Sequence, residues 1–269
     1  MNDGQTFAPS KVPEVTLAFW IIKILATTLG ETGGDTVTMT MFHADTNAHN
    51  GGYLIGTAIF LVILIAAVTA QIATKAFNAW IYWLAIVAST TVGTSMADLF
   101  DRSLGIGYTG GASILLVLVL ASLALWRFAT GTIDVQSVAT PKAELFYWVT
   151  ITFSQTLGTA LGDWLADTGG LGYQGGALVF GAALAIVAAL HYWTTVSPVL
   201  VFWAAFILTR PLGATVGDWL DKPVSNGGLG LSRLLASAVI TACIIAALAL
   251  VPQRPGRHPV GIRRSCGTS

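Results

Sequence analysis

Polar and apolar residues segregate along this chain on the scale of whole helices rather than of single turns. Eight long apolar stretches, at roughly 15–36, 54–74, 79–100, 110–129, 144–166, 174–193, 198–220 and 231–251, are divided by short segments rich in Gly, Pro and charged residues. Each is close to the ~20 residues of helix that cross a hydrocarbon core about 30 Å thick. Helix is the expected element, because backbone groups in lipid must be satisfied within the segment, and the period-two alternation of a membrane barrel is missing. The first stretch is the most interrupted, with Lys23, Glu31 and Asp35 inside it.

The stretches come in pairs. Aromatic-Trp pairs open every odd one: Phe19-Trp20, Tyr82-Trp83, Tyr147-Trp148 and Phe202-Trp203. Ten residues past each Trp stands a glycine, Gly30, Gly93, Gly158 or Gly213. Fourteen past it stands a small residue, Gly34, Ala97, Gly162 or Gly217, and fifteen past it an aspartate, Asp35, Asp98, Asp163 or Asp218. Three residue types in gapless register across four copies predict an all-α membrane protein of eight transmembrane helices, built from four two-helix repeats at about 15–76, 79–129, 144–194 and 198–251. Two crossings per unit make the repeats parallel, with pseudo-fourfold or pseudo-twofold symmetry about the membrane normal. The small residues four apart let backbones approach closely and predict a tight central bundle of the odd helices.

The opening Lys11-Val12-Pro13-Glu14-Val15, followed by Phe19-Trp20 and Gly30-Glu31-Thr32-Gly33-Gly34-Asp35, resembles the first repeat of a family of bacterial multi-pass membrane-anchored proteins. That family is built from four copies of a repeat of unknown function. The resemblance covers about residues 11–251 and implies the eight-helix architecture and a bacterial inner-membrane location. It carries no activity across.

Composition agrees with a lipid environment: 54% of residues are apolar and 10% charged, against roughly a quarter charged in soluble domains. A net charge of zero removes the basic excess of a nucleic-acid partner. No cleavable leader is visible, since the polar opening runs into an apolar stretch too long for one. Lys11, Lys75, Arg127, Lys142 and four arginines after 252 fall on one side of the predicted topology, and Arg102, Lys222 and Arg233 on the other. Both termini are therefore expected in the cytoplasm. Residues 1–14 form an N-terminal cytoplasmic segment, and 252–269 read as a disordered tail. Cys243 and Cys266 suggest neither a disulfide framework nor a metal cluster. His43 and His49, near Asp45, read as a solvated loop.

The chemistry lies on the odd helices. Seven past the Trp stand Thr27, Thr90, Gln155 and Arg210; eight past it Thr28, Thr91 and Thr156; eleven past it Glu31, Thr94 and Thr159. Positions eight, eleven and fifteen share a helical face, giving a hydroxyl pathway that ends in a carboxylate. Ionisable groups inside a membrane are costly and mark functional paths. Lys23, Arg210, Glu31 and the aspartates occupy successive layers about 6 Å apart. Glu31 and Arg210 are expected to pair, which leaves four aspartates against Lys23. That excess suits a small inorganic cation bound by Asp35, Asp98, Asp163, Asp218 and Glu31: a divalent metal such as Mn²⁺ or Mg²⁺, or a proton. Alternatively, the aspartates cap the following turns or pair with Arg102 or Lys222. The leading expectation is a cation transporter or channel with no resident cofactor beyond a bound metal ion. A membrane enzyme acting on a lipid or quinone, and a non-transporting anchor or assembly subunit, are the competing classes. Four nearly alike carboxylates speak against the enzyme, since catalysis requires pKa values pushed apart. No phosphate-binding motif is present for ATP-driven pumping. The sequence does not fix the oligomeric state.

Overall fold

The structure, a computed structural model, describes residues 7–44 and 51–259. Eight long α-helices account for most of it: α1 Leu17–Asp35, α2 Gly52–Ala73, α3 Ala79–Asp98, α4 Tyr108–Thr130, α5 Pro141–Asp163, α6 Gly172–Trp193, α7 Pro198–Asp221 and α8 Arg233–Leu250. Side-chain caps fix several starts. Thr16, Asn78, Thr140 and Ser232 accept the amide hydrogens of Phe19, Ile81, Ala143 and Leu235, and Pro141 and Pro198 begin α5 and α7.

The odd helices form a closed ring in which α1 packs on α3, α3 on α5, α5 on α7 and α7 on α1. Each even helix lies outside, against the odd helix of the next repeat: α2 on α3, α4 on α5, α6 on α7 and α8 on α1. Burial follows this order. Of the apolar windows, 72% of α3 and 56% of α7 is buried, but only 11% of α6 and of α8. Leu54, Val62, Leu116, Leu178, Ile186 and Val239 stand exposed on the outer helices, a continuous apolar jacket that a water-facing surface does not carry. Six helices, α2, α3, α4, α6, α7 and α8, are long and apolar enough to cross a membrane; α1 and α5, the most polar members of the ring, fall outside that criterion.

The repeated glycines are where the ring closes. A Cβ added to Gly30 would meet the side chain of Thr90, and one on Gly93 would lie 2.8 Å from the backbone carbonyl carbon of Gln155. In the same way Gly158 receives Arg210, and Gly213 receives Thr27. Position ten of each odd helix thus seats position seven of the next. One turn on, Gly34 faces Thr94, Gly162 faces Ala214 and Gly217 faces Glu31, so position fourteen seats position eleven. Hydroxyl-to-carbonyl bonds stitch the same contacts, with Thr90 donating to Ala26 at 3.2 Å, Thr94 to Gly30 at 3.0 Å and Thr27 to Thr209 at 3.1 Å.

After their aspartates, α1, α3 and α5 widen into π-helical turns at Thr36–Met41, Leu99–Ser103 and Trp164–Thr168, whereas α7 stays α-helical to Asp221. At the opposite end two strands, β1 Phe7–Pro13 and β2 Pro255–Pro259, pair antiparallel. This corrects the expectation of a disordered tail from 252, as far as residue 259. β1 is itself held down: Ser10 donates to Val135 and Val138, and Lys11 pairs with Glu144 at 2.7 Å. Gly and Pro content marks a segment without a core of its own, and the partner that orders this one lies at the other end of the chain. Residues 260–269, including Cys266, lie outside the described residues, as do Asp45 and His49 of the loop reading.

Candidate functional site

The four odd helices enclose an axis of stacked layers, one from each repeat position. Nearest the paired strands is an aromatic layer of Phe19, Tyr82, Tyr147 and Phe202, in which the two tyrosine hydroxyls share a hydrogen bond of 2.6 Å. Next comes Lys23 with Ile86, Ile151 and Phe206. The Lys23 amine is buried, lies 4.2 Å from the centre of the Phe206 ring and has no hydrogen-bond acceptor.

The following layers are dominated by Arg210. Its guanidinium reaches across the axis, donating from Nη2 to Glu31 Oε2 at 3.0 Å, to Thr94 Oγ1 at 2.6 Å and to Thr159 Oγ1, and from Nη1 to the Thr27 carbonyl at 3.4 Å. One side chain of α7 therefore touches all three other odd helices. The expected Glu31–Arg210 pair is formed, and both partners are buried. Gln155, in the layer of Arg210, has neither amide atom hydrogen-bonded.

At the far end Asp35, Asp98, Asp163 and Asp218 are all buried. Two cations from beyond the helices bridge them. Lys222 Nζ lies 2.6 Å from Asp35 Oδ2 and 3.0 Å from Asp218 Oδ1. Arg102 lies 2.7 Å from Asp98 and 3.7 Å from Asp163. Each base pairs with the aspartate four residues before it and with the aspartate of the next odd helix. Burial works against the Lys222 ammonium, but Asp218, Asp35 and Asp221 outweigh it and hold its pKa well above the usual lysine value.

Arg102 and Lys222 both stand nineteen residues past their Trp, where the other two repeats have Met39 and Asp167. The aspartate layer is thus twofold, although the ring of helices is fourfold. The signal in the sequence was the shared pattern Asp98-Leu99-Phe100-Asp101-Arg102 and Asp218-Trp219-Leu220-Asp221-Lys222. Four repeat units match one family model, at residues 18–77, 81–132, 146–197 and 201–251. The chain belongs to the family of the repeat of unknown function, DUF347. Neither a curated protein nor a solved structure matches it.

Within this DUF347 framework the two halves differ at the axis. Glu31, Asp35 and Asp218 each offer a carboxylate oxygen, and these atoms lie within 4.8 Å of one another, all buried. The twofold-related place has Thr159, Asp163 and Asp98, so only the first half gains a third acid. Asp35 Oδ1 makes no hydrogen bond, and Asp218 Oδ1 meets Lys222 as an ion pair outside hydrogen-bond geometry. Five carboxylates, Glu31 and the four aspartates, face three cations, Arg102, Arg210 and Lys222.

The face that lines the axis is positions seven, eleven and fifteen, which brings Gln155, Thr94 and Thr159 to the centre. Thr28, Thr91 and Thr156, at position eight, are buried beside that face and donate to Ile24 at 3.0 Å, Ala88 at 2.9 Å and Thr152 at 3.0 Å, with Thr156 also reaching Met96 Sδ of α3 at 3.9 Å. The difference of one residue arises because position seven, seated on the neighbour's glycine, sets the rotation of each helix.

Proposed function

We propose that this protein is a carrier for a small hard cation in the bacterial inner membrane, crossing it eight times as four parallel repeats with both termini in the cytoplasm. The ion is held by Glu31, Asp35 and Asp218, with Asp98 and Asp163 as the related pair next to it. The observation that carries this reading is the convergence of three buried carboxylates from α1 and α7 within 4.8 Å. Packing alone does not call for it, since repeat three manages the same turn with a threonine. Oxygen ligands of this kind suit Mn²⁺, Mg²⁺ or Ca²⁺ better than soft metals.

A carrier fits better than an open pore. Arg210 bars the axis beside the site, and the aromatic layer closes its other end. An ion passing through has to take over the charge of Glu31 while Arg210 swings aside, leaving Thr94, Thr159 and Gln155 as the polar lining. Crossing by the two polar helices α1 and α5 is in keeping with their position in the ring, away from lipid.

A second reading has a specific observation in its favour: every aspartate of the layer already has a basic neighbour within 4.0 Å, as a purely structural network would. The two readings separate in two measurements. Purified protein in liposomes is expected to pass at least one of Mn²⁺, Mg²⁺ and Ca²⁺, and the same ion is expected to raise the melting temperature of the detergent-solubilised protein. Asp35→Asn and Asp218→Asn should lose that rise. No flux together with no ion-dependent shift would leave the structural network as the better account.

A further inference from the structure

We propose that Lys23 carries the proton exchanged against the cation of the Glu31, Asp35 and Asp218 site; this rests on the carrier reading above. Among the described residues, Arg102, Arg210 and Lys222 each have a carboxylate within 4.0 Å, and no such pair involves Lys23. Its amine is fully buried and without an acceptor, and the other repeats fill the layer with Ile86, Ile151 and Phe206. The fold therefore does not require a lysine there. A lone ammonium is costly at this depth, so a side chain that served packing alone would be apolar, as Ile86, Ile151 and Phe206 are.

The surroundings suit a group that gains and loses a proton. Towards the paired strands Lys23 is sealed by the aromatic layer, whose titratable members Tyr82 and Tyr147 are bonded to each other. Towards the carboxylates Gln155 Oε1 and Nε2 and Arg210 Nε stand without partners; these groups do not themselves relay a proton, but they are the polar atoms that would hold bridging water, which does. The charged group facing Lys23 from α7 is Arg210, with Glu31 on the far side of it. From α3 and α5 the layers of Lys23 and Arg210 hold Ile86, Ile151 and Gln155, none of them charged. α8 carries only Arg233, at the carboxylate end, and the exposed Cys243.

Arg210 is the shared element. A cation on Glu31 takes up the charge that compensates the guanidinium, and a second positive charge on Lys23 is then repelled. Cation occupancy and Lys23 protonation oppose one another, and by linkage each lowers the affinity for the other. One proton leaves the Lys23 amine for each ion bound and returns to it when the ion departs.

The test is calorimetric titration of the detergent-solubilised full chain with Mn²⁺, Mg²⁺ and Ca²⁺, in buffers of different ionisation enthalpy, so that protons released per ion are counted. Wild type should release about one proton more than Lys23→Met, and the variant should bind the ion at least as tightly, with a flatter pH dependence. Lys23→Arg, which stays charged, should bind more weakly. Lys23→Gln serves if Lys23→Met fails to fold. Binding with the same proton release in wild type and Lys23→Met would overturn this proposal alone, and an equal, non-zero release would assign the proton to the carboxylates. Absence of binding of any of these ions to wild type would overturn the carrier reading and this one with it.

Discussion

Replacing Glu31 or Arg210 singly is expected to cost more than replacing both. The pair is buried, with side-chain exposures of 3% and 0%, so neither charge has water to fall back on when its partner is removed. Breaking such a pair costs about 3–5 kcal/mol, whereas removing both members is often close to neutral. The two single changes should also differ. In Glu31→Gln the guanidinium keeps Thr94, Thr159 and the Thr27 carbonyl as neutral acceptors, each worth about 1.5–3 kcal/mol to a charged donor. In Arg210→Gln the Glu31 carboxylate loses its cation and faces Asp35 and Asp218 within 4.8 Å, where the one Lys222 ammonium already serves two acids, so this variant should be the worse of the two. At roughly 2–4 °C per kcal/mol, the single losses are on the order of 10 °C in melting temperature. Thermal unfolding of the detergent-solubilised proteins, without divalent ions, measures all four members of the cycle. A double variant no more stable than Arg210→Gln would refute the idea that the pair is mutual compensation, and would leave Arg210 as a hydrogen-bond hub in which charge is incidental.

Other consequences are equally direct. Gly93→Ala should destabilise by about 1–3 kcal/mol, because its Cβ would lie 2.8 Å from the backbone of Gln155, while Gly33→Ala, with nothing nearer than 3.7 Å, should be neutral or gain up to about 1 kcal/mol; equal melting temperatures would sink the interlocking account. Arg102→Met should leave Asp98 and Asp163 without their cation and add a second ion-dependent stabilisation, read as a larger melting-temperature shift with Mn²⁺ than wild type gives. Lys11→Met should strand the buried Glu144 and speed limited proteolysis within residues 7–13, with Lys11→Met plus Glu144→Gln recovering part of the protection; unchanged cleavage would mean the strand is held by its backbone bonds alone.

The ring of odd helices was legible because its determinants are local and repeated: a Trp, then glycines at fixed distance, gives four copies of one contact. The Glu31–Arg210 pair followed from depth alone, since two opposite charges in adjacent layers of one narrow bundle have few other partners. Arg102 and Lys222 were legible only as an alternative, because they lie beyond the helices, where distance from the Trp no longer gives depth, and the π-helical turns shift the backbone further. Thr28, Thr91 and Thr156 were read on one face with Thr94 and Thr159, and of these five only Thr94 and Thr159 meet Arg210. Periodicity fixes which positions share a face, but the rotation of that face about the helix depends on what the neighbouring glycine admits. The pairing of β1 with β2 left no periodic trace, since its partners lie some 250 residues apart.

The cyclic order of packing, in which α8 closes against α1 just as α2 closes against α3, makes the position of the chain ends arbitrary. Phe7 already pairs with Pro259, so a linker joining these two and a new opening at 74–78, 131–140 or 194–197 describe the same ring read from a different start. A circularly permuted gene should therefore fold to the native arrangement, and two separately translated halves should find each other without a covalent link.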